Sequence, residues 1–315
     1  MGGNGSLATR PTAILAGDTG LALLRVAGED ATAFLNAQAT ALLDENAAAA
    51  QFSALADPAG RVLLVFYAWR EDDGWTLALA ASELEWLCAH LARFVFRARV
   101  RMAPLPDASL FGLAGEEASA AFAAAGLPPP LENHAALPGA IRSLRLVGDR
   151  WLVTGEEKAV GEAARAVEPY AQRADADAWK QARIAVGEVE IRAETRGRFL
   201  PQMLGLVEFG AVNFRKGCYP GQEVIARLQH RGQVKRKLAL FELDVAPEAG
   251  ARIDLEETRI EVLDSIGFGN DGALVQAIAP FPLPPMLSRR RFLSSALKAE
   301  PTRRARRRGD AGVRR

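Results

Sequence analysis

Phe214-Arg215-Lys216-Gly217-Cys218-Tyr219-Pro220-Gly221-Gln222-Glu223 is the most informative stretch of the chain. Glycines 217 and 221 flank the thiol, and Pro220-Gly221 favours a tight turn with positive φ at the glycine. Such a turn is expected to hold Cys218 and Tyr219 at a surface instead of in a core. If Arg215 and Lys216 also lie near the sulfur in space, they would stabilise its thiolate. A thiol so placed can attack, coordinate a metal or sense oxidation. Glu223 adds a carboxylate with two parallel acceptors, suited to a pair of parallel N–H donors. Taken alone, a cysteine after glycine is more often a packing residue than a nucleophile. The neighbours decide.

Working outward, the chain alternates short strands and helices. Leu21 to Val26 reads as a strand, and Asp30 is placed to cap a helix from Ala31 to about Leu43. Gln51–Ala56 and Arg61–Trp69 read as hairpin arms joined by Asp57-Pro58-Ala59-Gly60. Trp75–Leu79 is a further strand. Ser82 then caps a helix to about Phe94, with Leu84, Leu87, Cys88 and Leu91 at helical spacing. Strands at 110–113, 140–147 and 151–154 surround helices at about 116–125 and 156–167, with Pro128, Pro129 and Pro130 closing the first of these. Trp179 to Val186 reads as a helix stopped by Gly187. Strand-rich sequence from Val234 to Ile278 predicts a small closed β unit, ended by Pro280, Pro282, Pro284 and Pro285. The class is α+β.

At 315 residues the chain is expected to form more than one domain. Apolar residues make up 49% and charged residues 24%, a globular profile in which no apolar run reaches the ~20 residues of a membrane span. Two cysteines, Cys88 and Cys218, make no disulfide framework and point to a reducing compartment. Three histidines without paired cysteines give no zinc pattern. Met1-Gly2-Gly3-Asn4-Gly5-Ser6 reads as a flexible leader without a signal peptide. Residues 286–315 hold eleven Lys/Arg and two acids, so the net charge of +1 hides an acidic body and a basic tail. Gly267-Phe268-Gly269 lacks the remaining parts of a dinucleotide fingerprint and is expected to be a turn.

Lys216-Gly217-Cys218-Tyr219-Pro220-Gly221-Gln222-Glu223 resembles the K-G-C-Y-x-G-Q-E signature of the YgfZ family, relatives of the glycine-cleavage T-protein. Further pieces follow in family order across roughly residues 20–285. Phe34-Leu35-Asn36-Ala37-Gln38-Ala39-Thr40 resembles F-L-Q-G-Q-x-T, and Gly60-Arg61 falls at a G-[RK] hairpin. Trp179 to Gly187 resembles W-x-x-x-x-I-x-x-G. Phe199-Leu200-Pro201-Gln202 resembles F-[IL]-P-Q, and Arg231-Gly232 to Lys235-Arg236 resembles R-G-x-x-K-R. Leu21 stands where the family has a second tryptophan, and Leu42 where many members have Asp.

The resemblance implies a three-domain ring, with two intertwined α+β domains and a C-terminal β-barrel, and tetrahydrofolate in its opening. The expected divisions are a flexible leader at 1–12, α+β regions at 13–105 and 106–230, a barrel at 231–285, and a basic disordered tail at 286–315. Cys218 is expected to be the functional thiol, with Lys216 and Tyr219 beside it. Trp179, Gln222, Glu223 and Arg227 are expected to bind folate, Glu223 through the amino-pyrimidinone edge of the pterin. Trp179 reads equally as a core anchor that begins a helix. The implied role is that of a cytoplasmic accessory protein for iron–sulfur client proteins, acting indirectly on tRNA modification. No bound metal, membrane contact or direct nucleic-acid contact is expected.

Two other readings compete. An aminomethyltransferase needs a carboxylate in the strand after its glycine turn to stabilise a cationic iminium. Gly60-Arg61-Val62-Leu63-Leu64-Val65 has none, which counts against turnover. An RNA-binding role could rest on Arg303-Arg304-Ala305-Arg306-Arg307-Arg308, but this run lacks interleaved aromatics and sits on an acidic body.

Overall fold

A computed structural model describes residues 13–47, 50–71, 73–127, 135–137, 141–255, 258–268 and 272–283. The leader 1–12, Pro128–Pro130, Gly269, Pro284–Pro285 and the tail 286–315 lie outside them. The first strands and helices are β1 (Ile14–Ala16), β2 (Leu21–Ala27), α1 (Ala31–Asn36), β3 (Gln51–Ala56), β4 (Val62–Glu71), β5 (Gly74–Ala80), α2 (Leu84–Ala92) and β6 (Arg101–Pro104). The middle of the chain forms β7 (Ser109–Ala114), α3 (Ala118–Ala124), β8 (Ala135–Leu137), β9 (Ile141–Arg145), β10 (Arg150–Gly155), α4 (Glu157–Val167), β11 (Gln172–Ala174) and α5 (Ala176–Ala185). The last part forms α6 (Gln222–Arg231), β12 (Arg236–Leu243), β13 (Arg252–Leu255), β14 (Thr258–Gly267) and β15 (Ala273–Pro280). No helix among the described residues is long and apolar enough to cross a membrane.

The residues fall into two compact units, each built from two separated stretches of chain. One joins residues up to Thr19 with Asp107–Ala182, and the other joins Gly20–Pro106 with Arg183 onward. The first unit carries one sheet in the order β11-β1-β7-β10-β9-β8. Strand β1 pairs parallel with β11 and antiparallel with β7. Phe111, Leu113, Trp151 and Val153 from the sheet pack with Phe122 of α3 and with Val160 and Val167 of α4.

The second unit holds an antiparallel sheet, β3-β4-β5-β2-β6, and a four-stranded antiparallel sheet, β12-β15-β14-β13. Strand β5 is buried along its whole length, in keeping with its place at the centre of the larger sheet. Leu24, Val26, Phe66, Trp75 and Leu77 from that sheet pack with Phe34 and Leu35 of α1 and with Leu87 and Leu91 of α2. Phe241, Ile260, Val262 and Val275 form a separate core under the smaller sheet.

Three expectations need correction. Among the described residues the terminal β unit is an open sheet and not a closed barrel. Closure would require its edge strands β12 and β13 to pair, and β13 has only four residues with alternate ones exposed. Helix α1 stops at Asn36, short of the expected Leu43. The Asn36 amide exchanges hydrogen bonds with the Leu43 backbone (2.9 Å each), and Thr40 N–H donates to Ala54 O at 2.8 Å. After a turn at 37–38, those bonds hold residues 39–43 against β3 as non-helical chain, with Ala39 bridged to Leu55. Asp30 makes no side-chain cap to α1; its carboxylate accepts the Arg99 N–H at 2.7 Å.

A buried polar network ties the smaller sheet to the last turn of α5 and the chain that follows it. A register shift between Val262 and Asp264 lets Asp264 reach the buried Arg183 guanidinium. Gln276, opposite Asp264, donates to Glu188 O at 2.9 Å. The Tyr67 hydroxyl donates to the Glu188 carboxylate at 2.5 Å, carrying the network to β4. Asp264→Asn leaves the Arg183 charge buried with less compensation. It should destabilise the chain by about 3 kcal/mol in urea unfolding, whereas a cost within ~0.5 kcal/mol would show the pair to be solvated.

Candidate functional site

The signature loop is held by residues distant in sequence. Thr40 Oγ1 donates to Ala211 O at 2.6 Å, and Asn213 N–H donates to Thr40 O at 2.9 Å. The Lys216 ammonium continues this seam. It donates to Ala39 O and Ala41 O at 2.7 Å each and to Asn36 Oδ1 at 3.3 Å. Burial lowers its pKa to about 8. Lys216 thus fastens the loop to the end of α1, with its charge spent on backbone carbonyls. These bonds give the lysine an anchoring role.

Beyond the lysine the chain turns sharply. Gly221 has φ +78°, as the Pro220-Gly221 pair requires, and Gly60 in the β3–β4 hairpin has φ +76°. The two turns lie back to back. A Cβ on Gly221 would fall 2.5 Å from Gly60 Cα, and one on Gly60 would meet Ile225 Cγ1 at 3.1 Å. Helix α6 begins directly after Gly221 and buries Ile225. The buried Gln202 amide donates to Ile225 O at 2.8 Å, and Val62 N–H donates to Phe199 O at 2.8 Å. The pieces at 34–40, 60–61, 199–202 and 216–223 therefore meet around one loop.

Cys218 is exposed on this loop, as expected. Tyr219 is not: it is 6% exposed, its hydroxyl lacks a partner among the described residues, and burial pushes its pKa up to about 12. The tyrosine packs the underside of the turn, with the Lys216 ammonium 5.4 Å from its ring centroid. Gln222 Nε2 donates to Lys216 O at 3.4 Å. Glu223 and Arg227, one turn apart on α6, are both exposed and pair at 2.6 Å. Their carboxylate and guanidinium are open to a polar ligand.

Trp179 belongs to the other unit and does not present an open face there. It is 2% exposed, the Arg150 guanidinium stacks over its ring at 4.5 Å from the centroid, and Gly112 comes so close that a Cβ would lie 2.5 Å from the ring. The ring is a core anchor, so stacking against a folate would require Arg150 or the β7 backbone to move. Sequence reading gave no chemical role to Asn36, Thr40, Gln202 or Asn213. The first three stood inside quoted motifs, while Asn213 carried no signal.

No family model matches the chain. The chain is 29% identical over 245 residues to the tRNA-modifying protein YgfZ of Escherichia coli O157:H7, covering 75% of this chain and 74% of the relative. The protein of that name from Shigella sonnei is 29% identical over 241 residues, with the same coverage. The comparisons support a YgfZ family assignment. The crystal structure of glycine cleavage system aminomethyltransferase T from Bartonella henselae aligns with a TM-score of 0.67 at 21% identity, covering 86% of this chain and 79% of that one. The fold is therefore aminomethyltransferase-like, as for the YgfZ resemblance.

The two thiols should differ in reactivity. Cys88 is half-buried on α2 and burial raises its pKa, whereas Cys218 is exposed. Iodoacetamide at pH 8 should modify one thiol rapidly in the native chain, and Cys218→Ser should abolish that phase while leaving slow labelling of Cys88. Rapid labelling that survives Cys218→Ser would contradict the placement of the loop.

Proposed function

We propose that this chain is a folate-binding accessory protein for the assembly or repair of iron–sulfur proteins, and that it affects tRNA modification through client enzymes. The observation that carries this reading is the exposed Cys218 thiol on a turn locked by Gly60 and Gly221, with Lys216 committed to holding the loop. Such a thiol can make a transient thiolate contact with iron or with an oxidised group on a client. The YgfZ relatives are named tRNA-modifying proteins, which supports a role connected with tRNA, and the aminomethyltransferase-like fold supports folate as ligand.

Glu223 and Arg227 fit the polar edge of tetrahydrofolate, because both are exposed and a carboxylate accepts two parallel N–H donors. Gln222 lies beside them. Trp179, packed as described, does not supply the stacking surface. A turnover aminomethyltransferase is disfavoured because β4 offers no carboxylate next to its glycine turn. Arg61 is there instead, and it donates to Arg198 O at 2.5 Å.

Complementation tests the thiol. In a strain lacking its own YgfZ-type protein, the parent chain should restore the activity of an iron–sulfur enzyme and Cys218→Ala should not. Equal rescue by the two would remove Cys218 from the mechanism. Calorimetry with tetrahydrofolate tests the ligand. Binding to the full chain should weaken about tenfold in Glu223→Gln, as loss of a charge-assisted hydrogen bond implies, with the melting temperature unchanged. No heat of binding to the parent would sink the folate assignment.

A further inference from the structure

The segment that leaves the end of α2 reads Leu91-Ala92-Arg93-Phe94-Val95-Phe96-Arg97-Ala98-Arg99-Val100-Arg101, with four arginines and no acid. Its inward side chains are small: Val95, Ala98 and Val100 pack against the main core of their unit. Its rings point outward, with Phe94 40% and Phe96 86% exposed. Turning a phenylalanine into water while valines fill the core forgoes the burial that usually places such a ring.

The rings are arranged with cations. Trp86 and His90 stack on α2 with centroids 4.7 Å apart, and Phe94 follows at 5.3 Å from His90. The Arg196 guanidinium covers Trp86 at 4.0 Å, Arg93 lies 5.9 Å from the Phe94 centroid, and Arg97 lies 5.3 Å from that of Phe96. Arg99 is held by Glu29 and Asp30, and Arg196 by Glu83. Among the described residues, Arg93 and Arg97 form no ion pair. Strand β6, which follows, is an exposed sheet edge that begins at Arg101.

We propose that this surface binds a single-stranded nucleic acid, with a base stacked on Phe96 and phosphates held by Arg93, Arg97 and Arg101. Single strands are bound by aromatic platforms set within cationic grooves, because every base has a π-face and every linkage a charge. The interleaving of aromatic and basic residues that the 303–308 run lacks is present here. An acidic protein surface would use the arginines but gain little from a solvent-exposed flat ring. A duplex, whose bases are already stacked, could not use Phe96.

The test is fluorescence anisotropy of a short unstructured RNA oligonucleotide with the full chain, compared with its duplex and with polyglutamate as competitor. The basic run at 303–308 is common to parent and variants and contributes equally to each. Phe96→Ala and Phe96→Leu should each lose about tenfold in affinity for the single strand. Arg93→Ala and Arg97→Ala should each reduce the slope of log affinity against log salt by about 0.7. All three positions changed are exposed, so unchanged melting curves verify the fold. Binding by the Phe96 variants equal to the parent overturns the proposal, as does equal affinity for duplex. Polyglutamate binding that depends on Phe96 while RNA binding does not would assign the surface to an acidic protein instead.

Discussion

Two glycines from different parts of the chain, Gly60 and Gly221, approach back to back so closely that a side chain on Gly221 would have to move backbone, while one on Gly60 would meet the start of α6 at 3.1 Å. Both have positive φ, which costs an L-residue with a side chain about 1–2 kcal/mol before any clash is counted. This contact sets where the β3–β4 hairpin meets the start of α6, and hence where the turn before α6 leaves the surface. Lys216 secures the other end of the loop on the carbonyls that end the α1 region. Between these two fixed points only a few residues remain, and Cys218 is among them. The thiol is displayed by constraint at both ends.

Much of this was legible in the sequence. The 51–69 hairpin followed from alternation around Asp57-Pro58-Ala59-Gly60, and the bend at Pro220-Gly221 followed from turn chemistry. The resemblance led to an aminomethyltransferase-like fold. The illegible parts share a physical cause: each depends on partners distant in the chain. Strands β1 and β11 have three residues apiece and pair with each other across more than a hundred residues. Helix α1 is shortened because the side chains of Asn36 and Thr40 compete for backbone groups. Helix α6 is largely polar on the surface and buries Ile225, so its apolar signal is thin. Tyr219 could not be told from a surface residue without knowing what lies under the turn. Trp179 read equally as ligand platform and core anchor, and only the proximity of Gly112 and Arg150 separates the two.

The polar network around Arg183, Asp264, Glu188 and Gln276 extends the same logic to the smaller sheet. The bulge at Leu263 turns a carboxylate inward where strict alternation would not have placed one. Breaking such a pair is costly although forming it adds little net stability, so its effect is to make one arrangement far better than its alternatives. The loop and the sheet are thus each located by polar contacts with narrow geometry, while the apolar cores supply the bulk of the folding energy.

The most direct measurement keeps the sulfur and disturbs only its display. Gly221→Ala retains Cys218 but forces the turn away from Gly60. In the deletion strain, at a temperature where circular dichroism shows the variant folded, iron–sulfur enzyme activity should fall as far as it does without the thiol. Full rescue by Gly221→Ala would show that the locked turn is irrelevant to what the sulfur does.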